Sequence, residues 1–390
     1  MRKKLIVILI ILVFFSSCFN IFALATDDSA EKNLDEYISD LIESLDLSEF
    51  EEYLNDLPNE LSGNSNSKYQ LLLMLKGEST VDFSSISNYL LSLFFGGLKR
   101  KIPTFISLFA LLLICAIVNS IKPNKTGDGV YEIVRFACFS VVVCIIVSVA
   151  YALVSSAQST IQKTSKAVQS VFPIMLTLMT ISGNTASVAV YNPAMLFITD
   201  FVVIIINKLV FPVVLGMLAI SVISNVCKTI KLNGLLNFSS SSLKWLIGLV
   251  ATIFSLFLTV KGLNSGVYDG ISLRALKYTV NSSVPLVGGI LRDGLDLILA
   301  SGVLVKNALG FLAIFIIFGI VVQPILEIIS VSLALKLVSA VLEPLNDARV
   351  VSFINSVSSV INFVIASVII VSLMYVVIII LAICSSQMIF

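Results

Sequence analysis

The stretch VSSVINFVIASVIIVSLMYVVIIILAIC, Val357 to Cys384, carries no charged side chain from end to end. A bilayer core takes about 20 apolar residues in a helix, because lipid offers no partner for backbone N–H and C=O groups and only a helix satisfies its own. This stretch therefore reads as a membrane-crossing helix. Pro103 to Ile121, Val134 to Val154 and Leu243 to Val260 read the same way. Hydrophobic residues make up 57% of the 390 and charged residues 13%, with a mean hydropathy of +1.03. A soluble domain carries about 45–50% and about 25% respectively. The composition predicts an all-α, polytopic helical membrane protein.

The chain opens differently. Arg2, Lys3 and Lys4 precede an apolar run from Leu5 to Phe15 and a small-x-small site at Ala23-Leu24-Ala25. That order predicts a secretory signal peptide over residues 1–25. Ser16-Ser17-Cys18 leaves lipid attachment at Cys18 open as an alternative. Between Asp27 and Glu60 lie 13 of the 24 acidic residues, against the single base Lys32. Leu34, Tyr37, Ile38, Leu41, Ile42 and Leu45 keep helical spacing there, and Ser48-x-x-Glu51 reads as a capping box. Residues 26–98 are expected to form a short acidic extracytoplasmic helical segment, with a docking surface as one use of its charge. Residues 99–390 are expected to form the transmembrane domain. Lysine and arginine flank the first span on both sides, at Lys99, Arg100 and Lys101 and at Lys122, Lys125 and Arg135. The positive-inside rule therefore does not orient it.

Two regions, 171–225 and 284–342, are long enough for more than one crossing but carry polar punctuation. Pro173 and Pro212 bracket the first, Pro285 and Pro324 the second, and each pair is separated by the same 39 positions. Equal spacing points to an internal repeat, with helix-starting prolines as the rival explanation. Between the prolines lie Ser182-Gly183-Asn184-Thr185 and Asn192-Pro193 in the first region, and Gly288-Gly289 and Arg292-Asp293-Gly294 in the second. These predict discontinuous helices, six to eight spans in all, with broken backbone turned to protein or water. Asp200, Lys208, Asp293, Asp296, Lys306, Glu327 and Lys336 are charges within apolar surroundings, so each is expected to face a partner or a wet interior.

Catalytic chemistry has little to stand on. The chain has no histidine, which removes imidazole acid–base work, and no G-x-x-x-x-G-K-[ST] loop for nucleotide hydrolysis. Its six cysteines are scattered without a C-x-x-C pair, so they read as small buried hydrophobes. No cofactor, metal or nucleic acid is expected.

The order of motifs is itself informative. Val171-Phe172-Pro173-Ile174-Met175-Leu176 is followed by Ser182-Gly183-Asn184-Thr185-Ala186-Ser187, Tyr191-Asn192-Pro193 and Leu209-Val210-Phe211-Pro212. Then come Ser283-Val284-Pro285-Leu286-Val287-Gly288-Gly289 and Lys306-Asn307-Ala308-Leu309-Gly310. Together with the leading signal and acidic segment, this series resembles the stage III sporulation protein AE family of endospore-forming bacteria, across essentially the whole chain. The family pattern has a second glycine where this chain has Asn184. The resemblance implies a non-enzymatic membrane subunit of a channel-like complex between mother cell and engulfed forespore. It implies a place in the mother-cell membrane around the forespore, ring-forming and other membrane subunits as partners, and a separate cytosolic ATPase. A stand-alone secondary transporter is the alternative that the broken helices suggest.

Overall fold

The computed structural model describes residues 37–48, scattered positions between 51 and 114, and then 128–226, 232–262, 288–343 and 348–384. Six long helices carry the architecture: α1 (Asp128–Ile181), α2 (Thr185–Ile205), α3 (Phe211–Val226), α4 (Asn233–Gly262), α5 (Gly288–Leu342) and α6 (Ala348–Cys384). A π-helical turn, Ile206–Val210, joins α2 to α3. Among the described residues there is no strand.

Among the described residues, five segments are long and apolar enough to cross a membrane: Phe136–Ile181, Phe197–Val226, Asn233–Thr259, Gly294–Val341 and Arg349–Cys384. The all-α polytopic class stands. The expected first crossing at 103–121 lies mostly outside the described residues, as do the signal segment 1–25 and Pro285. α1 and α5 hold 54 and 55 residues. At about 1.5 Å per residue each is about 80 Å long, more than twice the roughly 30 Å of a hydrocarbon core.

α1, α5 and α6 form the centre. Ile181, the last residue of α1, and the adjoining Ser182 meet Gly302 of α5, while Met175 meets Gly310, so the two helices run antiparallel. Ser339 on α5 donates to Asn355 on α6 at 3.3 Å, while Lys306 reaches Ala382 and Ile383, which makes α5 and α6 an antiparallel hairpin. α1 and α6 are therefore parallel, and Phe139 and Phe353 meet edge to face with ring centroids 6.1 Å apart. In lipid the surrounding tails are as apolar as the side chains, so close packing and small residues hold such helices more than water exclusion does. Met175, Leu309, Val357, Val364 and Val368 are wholly buried in this core.

Two expectations need correction. From Gly288 to Leu342 the second region is one helix, so the break expected at Arg292-Asp293-Gly294 is absent: Asp293 and Asp296 lie in the first turns of α5 and Pro324 sits inside it, while residues 284–287 lie outside the described residues. A proline costs a helix one N–H donor, but the neighbouring turns continue. In region 171–225 the chain does break, though at residues 182–184 alone. Pro173 lies inside α1, Asn192 and Pro193 lie inside α2, and Pro212 is the second residue of α3. The first region thus holds three helical pieces with a π turn, and the described part of the second, 288–342, is a single helix.

At the other end of the chain, residues 37–44 are helical, with Ile38, Ile42, Leu45 and Leu47 buried and Asp40 and Glu43 exposed, as the periodicity predicts. The following turn is capped two residues earlier than the Ser48 box would have it. The Asp46 carboxylate accepts from both the backbone N–H and the hydroxyl of Ser48.

Candidate functional site

The break between α1 and α2 is a tight reversal whose backbone is satisfied from within. Gly183 has φ 81°, a left-handed conformation that costs an L side chain about 1–2 kcal/mol and glycine nothing. Its N–H donates to Thr180 O at 3.0 Å, and the Asn184 N–H donates to Met179 O at 2.9 Å. This pair of bonds is the Schellman ending of a helix, with glycine at its left-handed position. The Val188 N–H then donates to Asn184 O at 3.1 Å and starts α2. One residue, Asn184, thus closes one helix and opens the next.

Its side chain is the anomaly. Asn184 is 0% exposed, and neither its Nδ2 nor its Oδ1 has a hydrogen-bond partner. An asparagine starting a helix ordinarily caps a first-turn N–H. Here φ −90° and ψ 48° point the residue away from that geometry, and no cap bond forms.

α5 closes this turn from the side. A Cβ at Gly302 would stand 2.9 Å from Ser182 Oγ and 3.1 Å from Ile181 Cγ2, so only glycine permits the contact. One turn along the same face, Lys306 is 0% exposed. Its Nζ donates to Ala382 O at 3.0 Å and to Ile383 O at 2.9 Å. Those carbonyls belong to the last turn of α6, whose peptide dipoles make that end negative, and an ammonium there is the matching charge. A further turn on, a Cβ at Gly310 would lie 2.5 Å from Ile383 Cγ1 and 3.3 Å from Met175 Cε. The series Gly302, Lys306, Gly310 is therefore one ridge of α5 with two small steps and a charge, seating the turn of α1 and the end of α6 together.

A second polar cluster joins α1 to α2. Gln169 Nε2 donates to Asp200 Oδ1 at 3.0 Å and lies 3.4 Å from Ser165 Oγ. Asp200 is exposed, and so are Lys208 in the π turn, Pro173 and Pro212. A π turn inserts one residue into the helical register, and it leaves both Lys208 and Leu209 on the outside. Glu327 is half-buried about 30 Å further along α5 than Lys306, counting about 1.5 Å per residue.

Of the positions singled out in the sequence, the structure brings Gly183, Asn184 and Lys306 to one end of the bundle, while Pro285 lies outside the described residues. Gly302 and Gln169 carry no motif in the sequence, and Gly310 appears there only as the last residue of Lys306-Asn307-Ala308-Leu309-Gly310. Gly302, Lys306 and Gly310 at four-residue intervals were the available signal for the ridge, because small residues at that spacing mark close helix packing. Among the described residues no group of histidine, cysteine and acidic side chains could hold a metal ion.

Comparison with known proteins accords with the motif order. Residues 66–386 match the family model described as stage III sporulation protein AE. Stage III sporulation protein AE of Bacillus subtilis (strain 168) is 24% identical over 352 residues, covering 90% of this chain and 88% of that protein. No solved structure matches. With a match over most of its length and an all-helical, membrane-type fold to go with it, the chain belongs to the stage III sporulation protein AE family and is a sporulation protein.

Proposed function

We propose that the chain is a non-enzymatic integral membrane subunit of a channel or secretion-like complex linking mother cell and forespore, seated in the mother-cell membrane around the forespore. Its partners in this reading are other membrane subunits, ring-forming subunits and a separate cytosolic ATPase. The observation that carries it is the polar faces exposed within the candidate spans. Gln162, Lys163 and Lys166 on α1, Asp200 and Lys208 across α2 and the π turn, and Lys336 and Asn355 on α5 and α6 are all exposed. Charges at such positions are costly against hydrocarbon and ordinarily meet protein or water. A chain built to stand alone in lipid would turn such faces inward; a subunit presents them to its neighbours, even where Asp200 and Asn355 also hold partners within the chain. The absence of histidine and of a phosphate-binding loop supports a role without catalysis. The stand-alone transporter reading loses its main motive with the continuous α5, since paired broken helices were what favoured it.

Deletion of the gene tests the assignment. Vegetative growth in rich medium should be normal, and spore formation should stop after engulfment and return on complementation. A growth defect with sporulation intact would overturn it.

A further inference from the structure

The acidic stretch near the start of the chain and the rest of the molecule carry opposite charge. Between Asp27 and Glu60 there are 13 acids against one base, while the whole chain has a formal net charge of +1, so everything outside that stretch sums to +13. Where the stretch is described, at residues 37–48, Ile38, Ile42, Leu45 and Leu47 are buried and Asp40, Glu43 and Asp46 are exposed. Its apolar side is therefore already used within the chain, and its acidic side faces outward.

The bundle offers a face of the other sign. The Gln169–Asp200 bond sets the register of the antiparallel α1–α2 pair. Counting away from the turn at about 1.5 Å per residue, Lys163 stands about 9 Å beyond Gln169 and Lys208 about 12 Å beyond Asp200, with Lys166 between. Three exposed lysines thus share one level of two neighbouring helices, and Asp200 on the same face already accepts from Gln169. The exposed residues of α1 are largely apolar from Ile133 to Tyr151 and polar from Ser155 onward, so its half nearer the 182–184 turn is the half that lipid does not suit. With 103–121 as one crossing, which its sequence predicts, residues 26–98 lie on the side of the membrane opposite the start of α1. That is the side of the turn and of the lysines.

We propose that the acidic face of residues 37–48 in one copy docks on the lysine face of α1 and the π turn in a second copy of this chain. Asp40, Lys166 and Lys208 are all exposed within a single chain, which therefore does not close these faces on each other. The two surfaces differ, so the contact is head to tail and can repeat around a ring. Opposite charge sets partner and register more than it adds affinity, since exposed ion pairs are individually weak. The contact forms where a complex holds copies side by side, and to that extent it rests on the channel reading.

Sporulating cells that make two differently tagged copies provide the test. A carbodiimide joins an amine to a carboxylate in contact with it, and membranes treated with it should yield a covalent pair carrying both tags. Lys166→Glu with Lys208→Glu should remove that pair. Asp40→Lys with Glu43→Lys, added to the same chain, should bring it back, which separates a lost contact from a misfolded chain. Absence of a mixed pair from the unaltered chain overturns the proposal. So does a pair that survives the charge reversal, or one that the second set of changes fails to restore. Failure of the channel reading shows separately, as normal spore formation when the gene is deleted. A missing pair with spore formation blocked on deletion sinks the docking alone.

Discussion

At the scale of single residues, the junction of α5 with α6 depends on what Gly310 lacks. Ile383 occupies the place of the missing side chain, and a Cβ there would sit 2.5 and 2.6 Å from its Cγ1 and Cδ1. No Cβ tolerates such a distance, so Ile383 would have to leave its rotamer while Lys306 still holds the backbone of the same residue. Overpacking of this kind costs about 1–3 kcal/mol. Gly310→Ala should therefore lower the unfolding temperature of the purified protein, and so should Ile383→Ala by leaving a void. The double variant should be less destabilised than the two single effects combined, since the methyl group added at position 310 then enters the space that Ile383 vacates. Strict additivity would show that the two residues do not touch.

At the scale of elements, the reversal from α1 to α2 tests what glycine does at residue 183. With φ at 81°, Gly183→Leu places a branched side chain in a left-handed backbone, at a cost of about 1–3 kcal/mol. Gly183→Asn should be far milder, because asparagine enters that conformation more readily than other side chains. The expected order of spore yield is Gly, then Asn, then Leu, with membrane insertion unchanged in all three. Equal yields would mean that the turn has no part in function.

This element was legible in the sequence because Ser-Gly-Asn between apolar runs is a chemical signal for a helix ending. Asn192-Pro193 and Arg292-Asp293-Gly294 gave the same signal where the structure continues as helix. In a membrane helix, proline and glycine are tolerated when neighbouring helices and hydroxyl side chains take up the freed backbone groups. Which interruption breaks a helix is thus decided by packing across the bundle. A single chain read alone does not display that packing. Lys306 illustrates the same limit: its charge was conspicuous, but its partner lies 76 residues away at the end of α6.

At the scale of the whole molecule, the exposed face of α1 changes character along its length. Ile133, Val134, Phe136, Val141, Cys144 and Tyr151 are exposed first, then Ser155, Ser159, Gln162, Lys163 and Lys166. The first group spans about 27 Å at about 1.5 Å per residue, close to one hydrocarbon thickness, and ends in a tyrosine of the kind that marks membrane interfaces. Lipid suits that half of the face and does not suit the other. The polar positions Ser352, Asn355 and Ser359 of α6 sit at the height of α1's apolar half, because Phe139 meets Phe353 there. No single slab of lipid therefore covers every exposed surface, and neighbouring subunits must cover the remainder if the channel reading is right. Labelling with a membrane-impermeant thiol reagent separates the cases, in open membrane fragments from cells making the chain alone and from sporulating cells. Native Cys144 should resist the reagent in both. Gln162→Cys should react when the chain is alone, since its face is wet, and become protected in sporulating membranes as partners close over it. Equal reactivity of Gln162→Cys in the two preparations would mean that nothing docks on this face, and the polar stripe of α1 would then have to serve water instead of a partner.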